Sequence, residues 1–147
     1  MSFEFATATE IVFGRGSFGS LAARVAALGQ RVLVVTGSEP SRTGALDHLA
    51  EGGLQVTPFP ITHEPTTAVA GEGTDRARQA GCDVVVGVGG GSVLDGAKSI
   101  AALLTNGGEP LDYLEVIGAG RKIERPSAPF VAVPTTSGTG SEVTRNA

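Results

Sequence analysis

Short β-branched runs alternate along this chain with stretches whose apolar residues return every three or four positions. Arg31 to Thr36 (RVLVVT), Leu54 to Phe59, Val84 to Val88 and Phe130 to Val133 have the length and content of strands in a parallel sheet, the valine runs being of the kind buried on both faces. Between them, Phe18, Leu21, Ala22, Val25 and Leu28 trace the apolar face of a first helix, capped by Ser17 and closed by Gly29. Leu46, Leu49 and Ala50 predict a short second helix from about Ser41, stopped by Gly52 and Gly53. A third starts at Thr66 or Thr67 after Pro65 and runs through about Ala80, with Glu72 and Arg76 spaced for an i,i+4 pair on its wet face. Val93, Ala97, Ile100, Ala101 and Leu104 give a fourth. Strands and helices in this alternation build βαβ units, hence an α/β fold with a parallel sheet and right-handed crossovers. Upstream, Phe3 and Phe5, then Ile11 and Phe13, alternate with polar or small neighbours and predict a hairpin at a sheet edge.

The chain is organised around Asp83 to Leu104, DVVVGVGGGSVLDGAKSIAALL. Gly89, Gly90 and Gly91 break a strand and lead into a helix. Without Cβ atoms there, a phosphate can approach the main chain and the chain can reverse sharply. Ser92 is placed to cap the helix, and Asp95 three residues on completes a capping-box pattern. Such a corner gathers bare amides and the positive end of a helix dipole, where a phosphate or pyrophosphate can sit; a merely tight turn is the plain alternative. The spacing is neither G-x-G-x-x-G nor G-x-x-x-x-G-K-[ST]. Ligands of parallel sheets bind at the carboxyl ends of the strands. Three loops meet there: Thr36 to Ser38, Gly89 to Ser92 and Thr135 to Ser141.

Composition narrows the picture. The 147 residues, 41% hydrophobic, suffice for one domain with a core, and 22 glycines suit a chain of tight βα turns. A net charge of −4 with no basic cluster gives nucleic acid nothing to bind. No apolar run approaches the roughly 18 residues that cross a membrane, and no targeting signal precedes the first element. Cys82, the single cysteine, cannot form an internal disulfide; it reads as a packed, inert thiol and points to the cytoplasm. His48 and His63 lack a metal-ligand spacing and read as solvated or hydrogen-bonded residues.

GVGGGSVLDGAK (Gly87 to Lys98) and VPTTSGTGSEVT (Val133 to Thr144), with HEPT (His63 to Thr66) upstream, closely resemble the nucleotide-binding half of the iron-containing, or group III, alcohol dehydrogenases. The resemblance runs from the N-terminal hairpin to the last residue. It implies a Rossmann-like dinucleotide domain over residues 1–147, joined in the intact enzyme to a helical domain that binds iron or zinc through an aspartate and histidines, none of which lies in this chain. The chain is thus expected to be the cofactor domain of a longer oxidoreductase, inactive alone, acting on a small alcohol or aldehyde with NAD or NADP. Carried over by residue, Gly90, Gly91 and Ser92 contact the pyrophosphate, with Gly89 setting the turn. Thr135, Thr136 and Thr139 line the nicotinamide and ribose side; read without the family, they equally make a side-chain-stabilised loop. Asp95 matches the family pattern, but a capping box and a pair with Lys98 explain it without catalytic duty.

The sequence departs from the family at one place. Many NAD-preferring members carry an aspartate after the strand-end threonine, where it binds the adenosine ribose hydroxyls; here that position is Gly37. A carboxylate repels a 2′-phosphate, whereas Gly37 and Ser38 leave room and offer donors, so NADP is expected to be accepted at least as well as NAD. Two other functions are open: a dehydroquinate synthase-like lyase domain using NAD and a metal, and a non-enzymatic nucleotide-binding or interaction module. The family commonly dimerises, and the N-terminal hairpin offers an edge for a homodimer.

Overall fold

The computed structural model describes residues 8–144. Four strands, β1 (Arg31–Thr36), β2 (Gln55–Pro60), β3 (Val84–Gly89) and β4 (Phe130–Pro134), form one sheet in the order β2-β1-β3-β4. Every neighbouring pair is parallel, and Val34 lies level with Val86, itself level with Val131. The chain passes outward from β1 to β2, then returns to the other side of β1 to lay down β3. The strand order therefore reverses between β1 and β3, which is where an open α/β sheet leaves a crevice at its carboxyl end.

Alternation along the two central strands sorts their side chains into two cores. Val32 and Val34 of β1, with Val84, Val86 and Val88 of β3, pack under α1 (Leu21–Ala26) and α2 (Ala45–Glu51) through Val25 and Leu49. Leu33, Val35 and Val85 face the other way, under α3 (Thr67–Gln79) and α4 (Gly91–Asn106), where Ala77, Val93, Ala97 and Ile100 meet them. The fold is thus a Rossmann-like parallel sheet with helices on both faces. Each fully buried Val or Leu contributes about 1.5–3 kcal/mol, so the centre of the sheet is its most strongly held part. Gly73 lets α3 press against α4, because a Cβ there would collide with the Ile100 side chain. Thr66 caps α3, its hydroxyl accepting from the Val69 amide at 3.3 Å.

Several local expectations are corrected. Ser17 does not cap the first helix: Ser17–Ser20 is a turn of 3₁₀ helix preceded by Gly16 with φ 81°, and α1 proper starts at Leu21. Phe18 and Leu28 stay partly exposed at its ends. The second helix is likewise split, a 3₁₀ turn at Pro40–Thr43 giving way at Gly44 to α2. In the second, Gly44 in left-handed backbone separates the 3₁₀ turn from the helix. On α3 the ion pair joins Arg78 to Asp75 at 3.3 Å and not Glu72 to Arg76. Phe3 and Phe5 of the expected hairpin lie outside the described residues, and Glu10 to Phe13 form no strand, with Phe13 fully exposed. His48 is neither solvated nor hydrogen-bonded at Nε2, which is buried without a partner among the described residues, its ring lying 5.2 Å from that of Phe18.

After α4 the chain makes one helical turn, α5 (Pro110–Tyr113), begun by a capping box between Glu109 and Asp112. The exposed connection to β4 is held by Asn106, whose Oδ1 accepts from the amides of Glu124 at 3.1 Å and Arg125 at 2.9 Å. Among the described residues no helix is long and apolar enough to cross a membrane.

Candidate functional site

Thr36, the last residue of β1, is buried, and its hydroxyl donates to the carbonyl of Gly37 at 3.1 Å. Gly37 and Ser38 leave the sheet beside Gly89 and Gly90, which leave β3. The Thr135 amide donates to the carbonyl of Gly89 at 2.8 Å, extending the β3–β4 ladder by one rung and bringing Thr135 and Thr136 alongside. Between these three loops lies a cleft of about 300 Å³, lined among others by Gly37, Ser38, Gly90, Val93, Thr135 and Thr136. A second hollow of about 330 Å³ shares Gly37, Ser38, Gly90 and Val93 with it and opens toward His63, Glu64 and Ser92. The crevice implied by the strand order is therefore present, with the start of α4 as its wall.

That start differs from the capping pattern read in the sequence. The N-cap is Gly90, in extended backbone, and no side chain caps the helix. Ser92 lies inside the first turn, and its hydroxyl donates to Glu64 Oε1 at 2.7 Å. Asp95 is turned to other partners, pairing with Lys98 at 2.9 Å and accepting from the Ser141 hydroxyl at 3.3 Å. The helix begins two residues earlier than a Ser92 cap requires, because the glycine corner turns the chain within Gly89 and Gly90. The first-turn amides of Gly91, Ser92 and Val93 are consequently left without a side-chain acceptor, the condition in which a helix terminus takes an anion.

Each glycine of the corner has its own steric reason. A Cβ on Gly89 would stand 2.7 Å from the Val93 Cβ, so this position is glycine for the packing of strand on helix. At Gly90 a Cβ would stand 3.3 Å from the Thr136 hydroxyl oxygen, and at Gly91 3.2 Å from the Thr139 methyl. The missing side chains thus admit the β4 loop, which packs directly against the corner.

Residues 8–147 match the model of the iron-containing alcohol dehydrogenase family. The chain belongs to that family. It is 44% identical over 121 residues to a 4-hydroxybutyrate dehydrogenase of Cupriavidus necator, an alignment covering 80% of this chain and 32% of the relative. An NAD-dependent methanol dehydrogenase of Bacillus methanolicus is 38% identical over 139 residues, 90% of this chain and 35% of that protein. Among solved structures, a 1,3-propanediol oxidoreductase superposes with a TM-score of 0.88 at 30% identity, covering 99% of this chain and 38% of its own. The chain therefore spans about a third of the length of these relatives.

Within this family member, six of the nine residues expected to hold cofactor, Gly37, Ser38, Gly89, Gly90, Thr135 and Thr136, line one cleft. Ser92 lines the neighbouring hollow with its hydroxyl committed to Glu64. Gly91 and Thr139 contribute their contact with each other and line neither space. The pairing of Asp95 with Lys98 is present, and it has a purpose the sequence did not disclose. Lys98 also donates to the Thr144 carbonyl at 3.3 Å and hydroxyl at 3.1 Å, so Asp95 and Lys98 tie the second motif onto the helix of the first. Glu64 was missed as a neighbour of the corner, although HEPT carries it; nothing in spacing shows that the β2–α3 loop folds over Ser92. Arg42, on the rim of the cleft, was missed as well.

The cleft fits a dinucleotide in its bare helix amides, its hydroxyl-bearing β4 loop and its glycine floor. A metal ion has no comparable place: among the described residues no group of three or more His, Cys, Asp or Glu side chains could hold one. Cys82 is buried at the opposite end of the sheet, and burial pushes its thiol up from the ordinary range, partly offset by a hydrogen bond with Thr57. It is a packing residue.

Proposed function

We propose that this chain is the dinucleotide-holding part of a nicotinamide-dependent alcohol dehydrogenase or aldehyde reductase, one that takes NADP at least as readily as NAD. The observation that carries the reading is the uncapped start of α4 set in the crevice where the strand order reverses. Family membership supports alcohol–aldehyde chemistry over a dehydroquinate synthase-like lyase. The name of the methanol dehydrogenase relative, NAD-dependent, supports a nicotinamide cofactor.

When bound, the nicotinamide gives hydride to an aldehyde carbon or takes it from an alcohol carbon. Every contribution of this chain to that exchange is positional. The amides of Gly91, Ser92 and Val93 take the pyrophosphate by aiming N–H bonds and the helix dipole at it. Gly89 and Gly90 keep the main chain close enough for that contact. The hydroxyls of Thr135 and Thr136 meet ribose or carboxamide oxygens, and Thr139 keeps their loop against the corner. Gly37 and Ser38 receive the adenosine ribose. Holding the ring in register with a carbonyl is worth several orders of magnitude in rate, so a scaffold of this kind matters to turnover without touching the substrate. The described residues offer no metal site, and no step is assigned to a metal on this chain.

The test is fluorescence titration of the 147-residue chain with NADH and NADPH, alongside an assay for alcohol-dependent reduction of NAD and NADP. Weak, saturable binding of both without turnover is the expected result. Failure to bind either would reject the dinucleotide reading, and robust turnover by the chain alone would reject the assignment of a purely positional role.

A further inference from the structure

One carboxylate stands beside the bare amides of α4 with its charge uncompensated. Glu64, in the loop between β2 and α3, accepts a hydrogen bond from the Ser92 hydroxyl at 2.7 Å, and Ser92 is the second residue of α4. Glu64 lines the hollow that shares Gly37, Ser38, Gly90 and Val93 with the cleft. Asp95, one turn further along α4, is neutralised by Lys98 at 2.9 Å, whereas among the described residues Glu64 makes no ion pair. Glu64 does not cap the helix: it takes the hydroxyl of Ser92 and leaves the first-turn N–H groups bare. Its carboxylate nevertheless lies at the helix start, where the dipole favours negative charge, so the protein supplies an anion of its own at the place where the ligand's anion would bind.

We infer that Glu64 competes with the ligand for the start of α4, as an intramolecular anion that a pyrophosphate must displace. This rests on the proposed dinucleotide reading and adds to it a residue that limits how tightly a diphosphate is held. A phosphate oxygen on the Ser92 amide and a carboxylate on the Ser92 hydroxyl are attached to one residue, closer together than the Debye length of ~10 Å at 0.1 M salt, so their repulsion is incompletely screened. Displacement also frees the Ser92 hydroxyl to donate to a phosphate oxygen. Glu64 is exposed, so its carboxylate can swing into water at little cost. The competition is therefore a brake of a few-fold and not a block. It acts on charge: a ligand carrying phosphates meets it, and a neutral nucleoside does not.

The experiment titrates the full chain and two variants, Glu64→Gln and Glu64→Ala, with NADH, NADPH, ADP and adenosine. Glutamine keeps the length and an acceptor for Ser92 while losing the charge. Glu64→Gln is expected to tighten NADH, NADPH and ADP alike, by roughly threefold to tenfold at low salt, as the phosphate charges are relieved of one partly screened carboxylate. Adenosine should change by less than about twofold, and at 1 M salt, where the Debye length falls to ~3 Å, the gain should shrink toward unity. Glu64→Ala frees the Ser92 hydroxyl as well and should tighten the three phosphate ligands at least as much. Glu64 is solvent-exposed, so circular dichroism should show both variants folded. Weaker NADH binding by Glu64→Gln would overturn the inference, making the carboxylate a contact of the ligand; so would no change, or an equal tightening of adenosine. Absence of binding of every probe by the unaltered chain and both variants would overturn it by a different route, through the dinucleotide reading itself.

Discussion

The two ends of the sheet treat their backbone amides in opposite ways. At the amino end, the carboxylate of Asp83 accepts from the Gln30 amide at 3.0 Å and from the Arg31 amide at 2.9 Å, and the Asp83 amide donates back to the Arg31 carbonyl at 2.8 Å. Gly29 completes the seal, since a Cβ there would collide with the same carboxylate. At the carboxyl end, the first turn of α4 has no side-chain cap, although Ser92 and Asp95 are the residue types that could supply one. Their side chains go to Glu64 and to Lys98 and Ser141 instead. One end is closed by protein groups; the other leaves its first-turn donors without a side-chain partner. An uncapped helix start costs about 1 kcal/mol relative to a capped one, a modest destabilisation that the valine-rich strands easily absorb.

The comparison can be broken experimentally. Gly89→Ala should have the largest effect, because its Cβ would press on the main-chain-proximal atoms of Val93, which cannot swing away. A loss of about 2–3 kcal/mol in urea unfolding is expected, together with weaker NADH binding as α4 is pushed off the strand. A neutral result would mean that the corner is more pliant than its packing implies. Next is Asp83→Ala, expected to lose about 1–2 kcal/mol by freeing the Gln30 and Arg31 amides, with NADH affinity unchanged. If both variants lowered affinity equally, the two ends would not be separable in function.

The smallest effect concerns Cys82, beside Asp83 at the closed end. Its pKa is raised by burial, with the nearby Asp83 carboxylate adding to the rise. The folded state therefore holds the thiol proton more tightly than the unfolded chain, whose cysteines titrate near pKa ~8.5. Stability from this group is complete below that value and declines as the pH rises through it toward the folded pKa. Unfolding free energy measured from pH 7 to pH 10 should fall more steeply in the native chain than in Cys82→Ala, and alkylation at pH 7 should be slow unless the chain is unfolded. Rapid labelling of the folded chain would contradict the packed, protonated thiol.

Much of the molecule was legible in its residue pattern, and the reason is the strength of the local signals. Runs such as RVLVVT and DVVVGV can be little other than buried parallel strands, and the alternation of such runs with helical periods implies the layered sheet. GVGGGSVLDGAK and VPTTSGTGSEVT together indicate the family, and the strand ends collect Gly37, Ser38, Gly89, Gly90, Thr135 and Thr136 whatever the finer geometry. What the pattern misjudged was wherever two local options were nearly equal in energy. Ser92 could cap or sit inside the helix, and Gly89 and Gly90 could turn the chain early or late. The choice went to the turn that lets Val93 pack against the end of β3.

The sequence by itself thus determined the layered α/β architecture, the family and the position of the crevice, because burial of β-branched runs and the lack of Cβ atoms are properties of single residues and short periods. Only the tertiary structure decided which donors remain bare, that Glu64 reaches over Ser92, that Asp95 and Lys98 bind one motif to the other, and that Arg42 lines the cleft. Those outcomes depend on residues 28 to 46 positions apart or on separate loops, and the pairing of side chains across such distances is set by how the helices settle on the sheet, which no local pattern encodes.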